Sequence, residues 1–253
     1  MAHWSVRVER APIAVGRPLP SIISVALLTA ALGGALAERA DWAGTHVVAG
    51  LVAYAALSGI IAAAAQLERG PGGFGIANQV TLLRAGLVCL VAGALTGGPP
   101  ALLGWSRAGV VAAALSLDAV DGWLARRFGG ASGFGARFDL EIDALLILIL
   151  AVLVWQSGRI GAWVLAIGLL RYAFVLAGWL MPCLRRPLPP SRRRQAVCVQ
   201  QGVTLLLCLL PPVGPSVASA AAGVALLALL ASFAADIIYL VRTERAPDAD
   251  RRC

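Results

Sequence analysis

The groups in this chain best suited to chemistry are its carboxylates. Only 13 of the 253 residues are acidic, yet Asp118, Asp121, Asp139, Glu141 and Asp143 all fall between positions 118 and 143. Asp118, Asp121 and Ala125 follow one another at i, i+3 and i+7, the spacing of one helix face, with Gly122 beside them. Gly135, Asp139 and Asp143 repeat at i, i+4 and i+8, again one face. Two adjacent helices of this kind point four carboxylates at one another and send Glu141 elsewhere. Such a group repels itself unless cations neutralise it. An all-oxygen donor set without His or Cys suits Mg²⁺, Mn²⁺ or Ca²⁺ and argues against zinc or copper. Two hard ions held this way bind a pyrophosphate and stabilise both the attacking and the leaving oxygen of a phosphoryl transfer. Gly122 and Ala125 leave room for a nucleotide close to the helix backbone. The plainer reading has the acids balancing Arg126, Arg127 and Arg137 in a wet loop; the double helical spacing favours a site.

The elements that must carry this cluster are membrane helices. Apolar residues make up 59% of the chain and charged residues 13%, against roughly 45–50% and roughly 25% in soluble globular domains. There is too little polar surface to coat a soluble globule. Eight segments approach the roughly 20 apolar residues that cross a hydrocarbon core of about 30 Å. They lie near 20–37, 44–66, 79–96, 101–119, 138–157, 160–180, 196–212 and 217–241, with Gly97 to Pro100, Pro187 to Pro190 and Pro211 to Pro215 at turns. The fold expected is therefore an all-α integral membrane protein of about eight transmembrane helices.

The net charge of +8 comes entirely from arginine, since the chain contains no lysine. These arginines punctuate apolar runs instead of interleaving with aromatics, which points to membrane anchoring and not to nucleic acid. With both termini in the cytoplasm, 16 of the 21 fall in inside loops and tails, only Arg39 and Arg159 fall outside, and Arg84, Arg107 and Arg171 fall within spans. That asymmetry predicts a bacterial inner-membrane protein whose acidic cluster faces the cytoplasm. The first long apolar run begins near Ser21 and leads into further spans, so the N-terminus does not read as a cleaved leader. The five scattered cysteines have no metal or redox spacing and read as packing residues. His3 and His46 are isolated, and the tryptophans sit mostly near span ends as interface anchors.

Taken together, Asp118-x-x-Asp121-Gly122-x-x-Ala125-Arg126, eight residues, then Gly135-x-x-x-Asp139-x-x-x-Asp143 resembles the signature of the CDP-alcohol phosphotransferase (CDP-alcohol phosphatidyltransferase) family at all eight fixed positions and in the spacer. The resemblance covers about residues 71–245, a six-helix core. Residues 1–70 then form an N-terminal cytoplasmic segment with two extra transmembrane helices, and 246–253 form a tail. The resemblance implies transfer of a substituted phosphate from a CDP-linked lipid donor, CDP-diacylglycerol in the first instance, to the hydroxyl of a polar acceptor alcohol. CMP is released, and the reaction belongs to phospholipid biosynthesis. It further implies that Asp118, Asp121 and Asp139 hold metal, that Asp143 helps hold a second ion and serves as the base, and that Gly122, Ala125 and Arg126 line the CDP site. Gly135 belongs to the same signature, and Ser132 stands where a small hydroxyl residue touches the diphosphate. Two Mg²⁺ ions, with Mn²⁺ as a substitute, and a homodimer complete the implied picture. A carboxylate beside a metal suits the role of base, because an attacking alcohol must lose its proton.

Two further stretches bear on the site. Asn78-x-x-Thr81-x-x-Arg84 resembles the family's entry to its first core helix, with Ala77 in place of the usual Pro, and implies nucleotide and phosphate contact from a second helix. The plain alternative is an Asn cap, a satisfied Thr and a snorkelling Arg; an intramembrane arginine is expensive without a partner, which favours function. Downstream, Arg171 lies mid-span and Arg192, Arg193 and Arg194 open the seventh span. These four are candidates for contacting a phosphorylated acceptor, since arginine suits bidentate phosphate binding. Positive-inside anchoring accounts equally well for the triple arginine, and a buried pair with Asp236 for Arg171.

Other classes fit less well. A cation or proton transporter or channel using the Asp cluster would carry its acids at the midplane of broken, repeated helices. An intramembrane prenyltransferase would present two distant Asp-rich motifs, and the gap from Asp121 to Asp139 is too short for that.

Overall fold

The structure, a computed structural model, describes residues 18–39, 42–67, 76–96, 105–128, 133–181, 188, 189 and 191–245. Among them there is no strand, as expected of a chain whose backbone polar groups must be satisfied within each crossing segment. The eight α-helices are α1 (Pro18–Arg39), α2 (Gly44–Leu67), α3 (Ile76–Gly93), α4 (Trp105–Phe128), α5 (Gly133–Gln156), α6 (Leu165–Leu180), α7 (Arg192–Leu209) and α8 (Pro215–Arg245). Each overlies one predicted segment. The chain is an all-α integral membrane protein, and among the described residues five helices, α1, α2, α3, α6 and α8, are long and apolar enough to cross a membrane. The other three, α4, α5 and α7, carry charged groups clustered toward an end.

The helical spacing expected of the acidic stretch is met between the fourth and fifth spans. The acidic stretch is helical almost throughout: α4 runs on to Phe128, and only residues 129–132 separate it from α5. The carboxylates therefore belong to two long helices and not to a wet loop. At 1.5 Å per residue, Asp139 and Asp143 lie about 9–15 Å along α5 from its start.

α3 is the axis of the bundle and packs against α1, α2, α4 and α5. Its Leu82, Ala85, Val88 and Leu90 are fully buried. Small residues let α2 approach it closely, as membrane helices require when apolar burial alone gives no net attraction. A Cβ added at Gly50 would stand 2.8 Å from the Cys89 carbonyl oxygen and 2.9 Å from Leu90 Cα, and one at Gly93 would overlap the His46 carbonyl.

Two contacts tie loops together at the end of the bundle away from the acids. Before α2, Trp42 is buried, donates from Nε1 to Ser106 Oγ at 3.2 Å, and carries the Arg107 guanidinium 5.8 Å from its ring centre. Arg107 thus lies in the first turn of α4. After α5, Arg159 donates from Nη1 to the carbonyls of Cys208 at 3.0 Å and Leu210 at 3.2 Å, satisfying acceptors that the end of α7 leaves without helical partners. α8 opens on Pro215, whose fixed φ suits a first helical position.

Candidate metal centre

The buried stripes of three helices explain where the acids point. On α5, Phe138, Ile142, Leu146, Ile149 and Leu153 are buried, repeating every three to four residues as a core face must. Asp139 and Asp143 each follow a stripe residue by one position and flank that face. On α4, Val111 and Ala114 are buried, and Asp118, four residues past Ala114, continues their row by one turn. On α3, Thr81, Leu82, Ala85 and Val88 surround Arg84, which is 0% exposed.

Arg84 is the centre of the arrangement. Its Nη1 donates to Asp118 Oδ1 at 2.7 Å. Its Nη2 donates to Asp139 Oδ1 at 2.5 Å and to the Asp139 backbone carbonyl at 3.2 Å, and lies 3.1 Å from Asp143 Oδ1. Carboxylate oxygens of Asp118, Asp139 and Asp143 all lie within 4.8 Å of one another. The acids are partly open, with side-chain exposures of 27%, 36% and 19%, while the arginine has none. A ligand thus reaches the carboxylates from the side opposite Arg84. Three hard oxygen donors at this separation suit a divalent cation of the Mg²⁺ or Mn²⁺ type. Ca²⁺ would ask for more ligands.

The other candidate residues divide by location. Asn78 and Thr81 are buried on α3, two turns and one turn before Arg84. Asn78 lies inside the first turn of a helix that begins at Ile76, so it is not a cap, and the fully buried Arg84 does not snorkel. Gly135 is buried one turn before Asp139. Asp121, Gly122, Ala125 and Arg126 ride the last turns of α4, with their side chains outside the described residues, as is the whole of Ser132.

The downstream arginines are engaged elsewhere. The expected pair between Arg171 and Asp236 is not formed. Arg171 on α6 instead donates from Nη2 to Glu141 Oε1, because Glu141 sits on the flank of α5 that faces α6, away from the other acids. Asp236 on α8 takes Arg193 Nη2 at 2.5 Å and Arg194 Nη1 at 3.3 Å, and Arg194 also donates to the Pro189 carbonyl. Arg192 is exposed.

One neighbour of the cluster escaped the sequence reading. Cys198 on α7 places its Sγ 3.9 Å from Asp143 Oδ2, as donor. It has no motif spacing, and no signal in the sequence brings position 198 to position 143. The free thiols of Cys89 and Cys208, by contrast, are buried packing groups as expected.

Comparison with known proteins bears on residues that this geometry has already singled out. A family model described as CDP-alcohol phosphatidyltransferase matches residues 74–235, more than half of the chain. The matched range runs from just before α3 into α8 and leaves out α1 and α2. No curated protein and no solved structure matches the chain.

Proposed function

Because the chain belongs to the CDP-alcohol phosphatidyltransferase family, we propose that it moves a phosphatidyl group from CDP-diacylglycerol to the hydroxyl of a polar alcohol, releasing CMP, as a step of phospholipid biosynthesis. The observation that carries this reading is the convergence of Asp118, Asp139 and Asp143 from two consecutive helices within 4.8 Å, inside the span that the family model matches.

In this reading Asp118, Asp121, Asp139 and Asp143 hold two divalent ions, Mg²⁺ or Mn²⁺. Bound there, the ions would offset the charge of a diphosphate and stabilise the oxygens that gain charge in the transfer. The protein's own groups do the rest. Asp143, the least exposed of the three described acids, receives the proton of the attacking hydroxyl; a positioned base contributes about 10²–10⁴-fold. Gly122, Ala125 and Gly135 let the nucleotide lie against helix backbone, with Arg126, Ser132, Asn78 and Thr81 as its polar contacts and Arg84 acting on it from behind the acids. The attack forms a new O–P bond to the phosphorus that bears the lipid, the bond from that phosphorus to the bridging oxygen breaks, and CMP departs with that oxygen.

The acceptor meets the site near Arg192, with Arg193 and Arg194 beside it in sequence and Arg171 on α6, these three already paired to acids. The catalytic unit is the six helices α3 to α8, to which α1 and α2 are an addition. All eight helices cross the bacterial inner membrane with both termini and the acids on the cytoplasmic side, in keeping with the distribution of arginines. A homodimer is the expected assembly.

The test is CMP release by the purified protein in detergent with Mg²⁺ and CDP-diacylglycerol, across a panel of acceptor alcohols, with Asp143→Asn as control. Release with one acceptor, lost in the control and on chelation, supports the reading and names the product. Metal-independent release, or full release by the control, overturns it.

A further inference from the structure

Three carboxylates brought together from two helices repel one another unless a cation lies among them. The one the protein supplies comes from a third helix, 34 positions before Asp118 and 55 before Asp139. The geometry assigns to Arg84 a role beyond nucleotide contact: it is the resident counter-cation of the acid cluster, fastening α4 to α5 by their charges so that the site stays assembled whether or not a divalent ion is bound. The inference rests on the reading of Asp118, Asp139 and Asp143 as metal ligands only for its metal-dependent half; the ion pairs carry the other half.

Four observations support it. Arg84 is wholly buried, so its charge is not shared with water and acts at low dielectric, where Coulomb attraction is strong. Its guanidinium is divided between the helices, Nη1 going to Asp118 on α4 and Nη2 to Asp139 and Asp143 on α5; the fixed planar fork holds the two directions apart, where a compact ammonium offers one point of charge. Arg84 meets Asp118, Asp139 and Asp143 each at an Oδ1 atom, from the buried side. Finally, three carboxylates against one guanidinium leave a formal charge of −2 on these four groups, a net negative charge that bound divalent ions would offset. Without the arginine the charge is −3, and the acids have only the metal to hold them together.

Stability measured with and without metal tests this in the full-length protein. Thermal unfolding in detergent is followed in chelator and in saturating Mn²⁺ for the parent, Arg84→Gln, Arg84→Lys, and Arg84→Gln combined with Asp139→Asn. Bound metal raises the melting temperature of any protein it binds, so the informative quantity is the size of that rise. Arg84→Gln is expected to melt well below the parent in chelator and to show a larger rise with Mn²⁺. Adding Asp139→Asn removes one of the repelling charges and is expected to restore part of the stability lost in chelator, an effect that lost packing alone would not produce. Arg84→Lys, keeping the charge without the fork, is expected to fall between parent and Arg84→Gln.

Two outcomes overturn the proposal: where Mn²⁺ stabilises the parent, a rise in Arg84→Gln no larger than the parent's, or, whatever Mn²⁺ does, no recovery in the double variant. If Arg84→Gln does not fold, folding of the double variant supports the proposal and failure of both overturns it. Absence of any Mn²⁺ effect in parent and variant alike overturns the metal reading itself, and in that case recovery by Asp139→Asn still decides the counter-cation role.

Discussion

The thiol of Cys198 on α7 lies 3.9 Å from the Asp143 carboxylate on α5, so the candidate base has a small, soft neighbour on the side away from Arg84. Cys198→Ala removes a weak donor and is expected to retain most of the turnover. Treatment with a methanethiolating reagent, which adds bulk beside Asp143, is expected to silence the parent but not Cys198→Ala. Equal sensitivity of both proteins would show that the thiol is remote from the reaction.

Asp143→Asn preserves shape and removes the proton acceptor. CMP release is expected to fall by about 100- to 10,000-fold while the protein remains folded, as judged by a cooperative thermal transition. Loss of folding along with activity would make Asp143 a structural group.

Asp236 is the joint between α7 and α8. It is nearly buried, whereas Arg193 is 41% exposed, so the cost of breaking the joint falls between that of a surface pair and that of a buried one. Asp236→Asn is expected to lower stability by about 1–3 kcal/mol, read as a lower melting temperature, with the KM for the acceptor little changed. A large rise in that KM with unchanged melting would place the pair in the acceptor site.

Arg192, the exposed member of the triple arginine, gives the complementary case. Arg192→Gln is expected to raise the KM for a phosphorylated acceptor several-fold and leave the donor KM and the melting temperature alone. An unchanged acceptor KM would assign it to membrane anchoring.

Gly93 touches the backbone of α2 where no side chain can yield. Gly93→Ala forces α2 and α3 apart and is expected to cost about 1–3 kcal/mol, the usual penalty of overpacking. Because α3 carries Arg84, part of the loss is expected in turnover as well as in melting. A variant as stable as the parent would mean that the two helices separate freely there.

The helices were legible because apolar runs of membrane length, bounded by Gly and Pro, admit little else. The acids were legible for a similar reason: a period of three to four residues fixes which side chains share a face, and Asp118, Asp139 and Asp143 do meet. What the sequence could not show was pairing between helices. That depends on how each helix is rotated about its axis, a few tens of degrees deciding whether Arg171 finds Asp236 or, as it does, Glu141. The expense of an arginine inside a membrane signalled that Arg84 had a partner, but its being shared among three acids appears only when α3, α4 and α5 are packed.

The order of the helices along the chain also gives the Arg84 contact a direction in time. A ribosome makes α3 before α4 and α5, so the guanidinium is already in the nascent protein when the first carboxylates emerge. Segments that would otherwise bring bare negative charge into a lipid environment meet a cation as they insert, and the hairpin carrying the acids has a partner waiting for it. Moving the same arginine to a later helix would preserve the final charge count and remove that advantage during biogenesis.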